Sequence, residues 1–202
     1  LYDAAIVITI GSGFSGCCQN ARVAAEEYQN IHVVDSCSLS CGQGLLVLKA
    51  AQLAQEGLSP EEICDQLNEA AAHIEVSFIL DRLDYMKKGG RCSAVAALGA
   101  NLLKIKPCIE VKNGRMTVGK KYRGSFAKVI DQYTKERLDL CREVCTDLVI
   151  VAHPDAEQPA IDAAKQALAE DGRFEHVMEA RAGCTVSCHC GPNTLGVMFF
   201  SK

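Results

Sequence analysis

The apolar, β-branched run at residues 4–10 constrains the fold more than any other feature, because it is closed at once by the loop Gly11-Ser12-Gly13-Phe14-Ser15-Gly16. A run without polar alternation reads as a buried strand. Helical patterning then continues to about Tyr28, and residues 31–35 read as the next strand. A helix between two such strands is the crossover that parallel pairing requires. Beyond Ser36-Cys37-Ser38-Leu39-Ser40, a helix is expected through Leu45, Leu46, Leu48 and Leu53 to Gly57, where glycine suits a helix end. Ser59-Pro60-Glu61-Glu62 opens the next helix, with a serine cap, proline in the first turn and acids facing the positive end of the helix dipole. The first third is thus a βαβα pattern.

The pattern changes near Val76. A strand at 76–80 leads toward a turn at Lys88-Gly89-Gly90-Arg91, a small-residue helix at 93–103, and a hairpin flanking Lys112-Asn113-Gly114-Arg115. Asn-Gly is the dipeptide that supplies two consecutive positive φ angles for a two-residue turn. A helix at 125–141, a strand at 147–152, a helix at 156–171 and two last strands separated by His189-Cys190-Gly191-Pro192 complete the pattern. The expected architecture is α/β in two domains. Residues 1–75 form the C-terminal part of a parallel-sheet domain, and residues 76–202 form a second, α+β domain.

Composition sets limits on function. The chain of 202 residues is 49% hydrophobic, enough for a real core. No run of about 18 uncharged apolar residues is present, and the start lacks the basic-then-apolar design of an export signal. A cytoplasmic protein without a membrane span is expected, and a chain that opens on Leu1 just before a strand reads as one that lacks residues upstream. Twelve cysteines in such a chain are expected to be reduced thiols, several replacing small apolar residues, as Cys64 and Cys108 do. The net charge of −4 hides an uneven distribution, for between Lys87 and Lys128 eleven Lys or Arg face the single acid Glu110. That stretch reads either as a solvated face or as a surface for an anionic partner.

Several chemistries compete for the same residues. Gly11, Gly13 and Gly16 satisfy G-x-G-x-x-G between a strand and a helix, and Asp35 ends the next strand, where a dinucleotide fold places the acid that meets a ribose hydroxyl. The same loop can instead cradle a carboxylate, using amide groups around Gly13 and the hydroxyls of Ser12 and Ser15. A hydrolase would need Ser12 or Ser15 as nucleophile with His189 and Asp35, but the loop does not match G-x-S-x-G. Cys184, Cys188, His189 and Cys190 could ligate a metal, yet adjacent residues in an extended segment point to alternate faces, so structural thiols are expected there. Cys37 and Cys41 have C-x₃-C spacing, a weak redox signal. Nucleic-acid binding has only the basic stretch with Tyr122 and Phe126 in its favour, against an overall acidic balance.

Taken in order, the loop at 11–16, Asp35-Ser36, Leu83-Asp84-Tyr85-Met86-Lys87-Lys88-Gly89-Gly90-Arg91, Leu103-Lys104-Ile105-Lys106-Pro107, Asn113-Gly114 and His189-Cys190-Gly191-Pro192-Asn193-Thr194-Leu195-Gly196 resemble the DegV family of bacterial fatty-acid-binding proteins. The resemblance covers essentially the whole chain, and Lys-Gly-Gly-Arg and His-x-Gly-Pro are its most specific parts. It implies a two-domain fold holding a long-chain fatty acid between the domains, the carboxylate bound at Ser12 and His189. It also implies a carrier without catalysis of its own and without a cofactor, which presents the acid to a fatty acid kinase for acyl-phosphate formation. Arg91, with Lys88 and the basic stretch around it, then becomes the expected docking face. The chain departs from the family pattern in four places: Gly11 stands where a second serine is usual, Gly16-Cys17-Cys18 where Gly-Thr-Tyr is usual, Asn193 where glycine is usual, and nothing matches the family's upstream Thr-Ser-x-Pro motif.

Overall fold

The computed structural model describes residues 2–90 and 105–202. The chain divides into two compact units, Leu1–Ile74 with Asn113–Arg115, and Glu75–Lys112 with Met116–Lys202.

The first unit runs β1 (Ala5–Thr9), α1 (Cys17–Ala25), β2 (Ile31–Asp35), α2 (Ser40–Gln55), α3 (Pro60–Ala71). β1 and β2 pair in parallel from Ala5↔Ile31 to Thr9↔Asp35, so both strands end level and their following loops emerge side by side. In α/β folds that end of the sheet is where ligands bind. Val34, Leu45, Leu46, Leu53, Ile63 and Leu67 fill the core beneath it. Local chemistry sets the helix ends. At α3, Ser59 accepts from the Glu62 amide while the Glu62 carboxylate accepts from the Ser59 amide, a complete capping box. After α2, Gly57 takes φ +86° and the Leu58 amide returns to the Leu53 carbonyl at 3.2 Å. α1 ends at Ala25, short of the expected Tyr28, which closes a turn back to the Ala25 carbonyl.

The second unit holds β3 (Ile74–Leu80), α4 (Asp84–Gly89), β4 (Lys106–Lys112), β5 (Arg115–Tyr122), α5 (Phe126–Leu140), β6 (Leu148–His153), α6 (Gln158–Asp171), β7 (His176–Arg181), α7 (Cys184–Cys190) and β8 (Thr194–Phe200). Its strands form one mixed sheet in the order β5-β4-β3-β8-β6-β7, with β6 parallel to β7 and antiparallel to β8. Strand alternation divides the apolar side chains between two faces. Ile79 packs with Val129, Ile130, Ile161 and Leu168 of α5 and α6, whereas Phe78 and Leu80 pack with Met86 of α4 and Cys190 of α7. Central β8 is buried almost throughout because helices cover both of its faces. Tyr133 of α5 secures the middle of the sheet. Its hydroxyl lies 2.8 Å from the Ser77 hydroxyl, donates to the Ser77 carbonyl at 2.7 Å and accepts from the Val197 amide at 3.1 Å.

Two expectations are corrected here. Of the turn expected at Lys88-Gly89-Gly90-Arg91, Lys88 and Gly89 end the helix Asp84–Gly89 and Gly90 closes it at φ +64°. The segment containing Cys188, His189 and Cys190 is not extended but is the helix α7. The hairpin turn is as read, with Asn113 at φ +51° and Gly114 at φ +68°. The small-residue helix expected at 93–103 lies outside the described residues, as does Arg91.

Candidate functional site

In the first unit, the candidate residues lie on the pair of loops that follow β1 and β2. The Gly11 amide donates to the Ser38 carbonyl at 2.8 Å and the Phe14 amide to the Gly11 carbonyl at 2.9 Å, which folds the loop over the end of the sheet. One oxygen of Asp35 accepts from the Ser12 amide at 3.1 Å and from the Cys37 amide at 2.9 Å. Partial burial alone would raise the Asp35 carboxyl, but the Ser12 hydroxyl, these amides and nearby Arg22 outweigh it and hold the group below its usual value. Ser12 and Gly13 are exposed at the loop tip. Ser15 acts locally instead: its oxygen accepts from the Cys17 amide at 3.3 Å and its hydroxyl donates to Cys17 Sγ at 3.1 Å. It braces the start of α1.

This geometry removes the support for a dinucleotide at Gly11, Gly13 and Gly16. In that fingerprint the second glycine lets a pyrophosphate approach and the third lets helix and strand close together. Here a Cβ on Gly13 would run into the carbonyl oxygen of Gly114, and one on Gly16 would meet nothing within 4 Å. A Cβ on Gly11 would lie 2.9 Å from the Cys37–Ser38 backbone, which also accounts for glycine where the family usually has serine. Asp35, the expected ribose partner, is engaged in bracing the loop.

In the second unit, the candidate residues lie on the α4/α7 layer. His189 stands near the end of α7, with Nδ1 buried and without a hydrogen-bond partner among the described residues. The side chain packs against Gly89 so closely that a Cβ there would overlap the imidazole ring. Two residues on, Gly191 (φ +76°, ψ 176°) faces the ring of Tyr85 on α4, again with no room for a Cβ. Each helix therefore offers a glycine to an aromatic ring of the other, and the two most specific sequence motifs are neighbours. Asn193, at φ +49°, accepts from the Glu157 amide at 3.1 Å and donates to the Glu157 carboxylate at 3.0 Å. It thereby fixes the start of α6, a task a glycine at this position could not perform.

Lys88 is exposed on α4. Part of the basic stretch is neutralised internally, as Lys106 pairs with Asp81, Lys112 with Glu110 at 2.6 Å, and Arg137 approaches the same Glu110 at 3.1 Å. Among the described residues no group of three or more His, Cys, Asp or Glu is placed to hold a metal ion, and no helix is long and apolar enough to cross a membrane.

A mixed α/β fold with a parallel sheet in one unit and a two-face-covered mixed sheet in the other, bearing these loops, defines a class, and comparison with known proteins agrees. The family model described as "uncharacterised protein, DegV family" matches residues 1–202, and the chain belongs to the DegV family. A DegV domain-containing protein of Clostridium acetobutylicum is 35% identical over 201 residues, covering 98% of this chain and 70% of that protein. A Thermus thermophilus structure described as fatty acid binding of a DegV family protein superposes with a TM-score of 0.89 at 27% identity, over 99% of this chain and 71% of that one. DegV of Bacillus subtilis, described as a fatty acid binding protein, gives a TM-score of 0.83 at 30% identity, over 100% and 72%.

Proposed function

We propose that this chain is a cytoplasmic carrier that binds a long-chain fatty acid, with Ser12 and His189 as carboxylate ligands beside the amides around Gly13, and presents it to a fatty acid kinase. The observation that carries the reading is the buried Nδ1 of His189, a polar atom without a partner among the described residues, on the layer where two family motifs meet. A buried polar atom without a partner is costly, and a ligand oxygen would relieve it. Relatives described as fatty-acid binders, at 27% and 30% identity, support the ligand class. Ser15 is the third candidate on this loop; its hydroxyl rests against Cys17 and would turn from Cys17 Sγ to reach a ligand.

Magnitudes divide the work between tail and headgroup. Burial contributes about 0.8 kcal/mol per methylene, so a tail of roughly fourteen could contribute on the order of 11 kcal/mol before ordering costs. A hydrogen bond to a charged group contributes about 1.5–3 kcal/mol. Ser12→Ala and His189→Ala are each therefore expected to weaken fatty-acid binding by about 10–150-fold while leaving the fold intact. Titration calorimetry with a long-chain acid, alongside native mass spectrometry of the purified protein, reads this directly. Unchanged affinity in both variants would remove them from the site. Arg91→Ala and Lys88→Ala are expected to spare lipid binding and impair phosphorylation of the bound acid by the kinase; loss of lipid binding instead would move those residues into the pocket.

A further inference from the structure

The helical form of residues 184–190 gives their cysteines an arrangement that an extended segment would not. The Ser187 amide bonds to the Gly183 carbonyl at 3.1 Å and the Gly191 amide to the Ser187 carbonyl at 2.8 Å, so α7 has true α geometry. At 100° per residue, Cys184 and Cys188 lie one above the other on one face, and Val186 and Cys190 lie on the opposite one. The burial follows this division. Val186 and Cys190 pack into the core against Met86, Phe78 and Leu80, whereas Cys184 and Cys188 are exposed free thiols. The space beside Gly183, just ahead of Cys184, is open within 4 Å. Two exposed thiols on the outer face of one helix turn have no packing role.

We propose that Cys184 and Cys188 form a two-thiolate site for a soft monovalent metal ion of the copper(I) class. Spacing decides between a metal and a disulfide. Side chains four apart on a helix hold their Cβ atoms about 5–6 Å from each other, whereas a disulfide needs about 3.5–4.5 Å. A direct S–S bond would therefore have to deform α7, but an ion placed between the sulfurs spans the wider gap. The number of donors decides the metal. Harder or tetrahedral ions require three or four ligands, and no such group exists among the described residues. Thiolates alone select soft ions. Cys190 cannot join, since it is buried on the opposite face of the helix, packed with Phe78, Leu80 and Met86. The imidazole of His189 is turned toward Gly89 on α4, away from the Cys184 and Cys188 face. On binding, each S–H bond breaks and a sulfur–metal bond forms, two protons pass to solvent, and neither the metal nor the sulfur changes oxidation state.

The experiment is a titration of the reduced full chain with Cu(I) under anaerobic conditions, in competition with a chromogenic bicinchoninate chelator. Unmodified protein is expected to withhold one equivalent of copper. Cys184→Ser and Cys188→Ser should each lose that equivalent with an unchanged far-UV circular dichroism spectrum, because both side chains are exposed. A Cys17→Ser/Cys37→Ser variant, which removes exposed thiols of the other unit, should retain it, and X-ray absorption of the loaded protein should show two sulfur neighbours. Copper retained by either α7 variant, copper lost with Cys17 and Cys37, or a third sulfur around the metal would overturn the assignment. None of these readouts depends on fatty-acid binding.

Discussion

Arg137→Ala is expected to lower the unfolding free energy of the second unit by about 3 kcal/mol, within the range for breaking a buried charge network by removing one partner. Arg137 is only 8% exposed on α5. Its two terminal nitrogens reach Glu75 on β3 at 2.8 Å and Glu110 on β4 at 3.1 Å, so one side chain fastens a helix to two neighbouring strands. Burial would by itself disfavour its charge, but Tyr133, Glu110 and Glu75 hold the guanidinium protonated. Truncation leaves Glu110, whose side chain is 14% exposed, with Lys112 as its remaining ion-pair partner, while the more open Glu75 recovers some solvation. That places the cost at the lower end of the range for buried pairs. Glu110→Gln in the Arg137→Ala background should recover part of the loss, because it removes a mostly buried charge that has lost its buried partner and keeps the exposed Lys112. Urea unfolding checks both. A loss below about 1 kcal/mol would mean that the pair behaves as an exposed one.

Glu110 also shows why the charge pattern could be read only in part. From the sequence it is the lone acid among eleven basic residues; in the fold it is shared by Arg137 and Lys112, while Asp81 and Glu136 from outside the stretch pair with Lys106 and Lys120, so composition alone overstates the free positive charge. Elements governed by local chemistry were legible. The Ser59 capping box, the Gly57 helix end and the Asn113-Gly114 turn each depend on a few adjacent residues, and each forms where the sequence places it. α4 and α7 were not legible, because six or seven residues give no helical periodicity. Cys184-Thr185-Val186-Ser187-Cys188-His189-Cys190 contains no strong helix former, so the packing of Val186 and Cys190 against β3 and α4 selects its form. The glycine loop was legible as a turn and misleading as a fingerprint. Spacing cannot distinguish a glycine required by a pyrophosphate from one required by the carbonyl of Gly114, a residue far along the chain. Ser12 and His189 were reached through a family resemblance, and the pocket of Gly89 that holds the imidazole became visible only in three dimensions.

Gly191→Ala is expected to have the largest effect of any single methyl group added to the α4/α7 layer, through two costs that add. The backbone at φ +76° and ψ 176° lies in a region essentially restricted to glycine, which costs an L-residue about 1–3 kcal/mol. The new Cβ would also enter the ring of Tyr85, so α4 must move away from α7 or the ring must leave its place. A combined loss of about 3 kcal/mol should lower the melting temperature by about 6–12 °C for a chain of this size. The two contributions separate in a double variant: Tyr85→Ala removes the clash and leaves the backbone strain, so Tyr85→Ala/Gly191→Ala should melt above the temperature predicted by adding the two single effects. If His189 is a carboxylate ligand, Gly191→Ala should also weaken fatty-acid binding, because it disturbs the helix end that holds the imidazole against Gly89. A variant that melts with the unmodified protein would show that α7 can end without a glycine. One that is destabilised but binds the acid with full affinity would separate the packing of this layer from the ligand and move the headgroup away from His189.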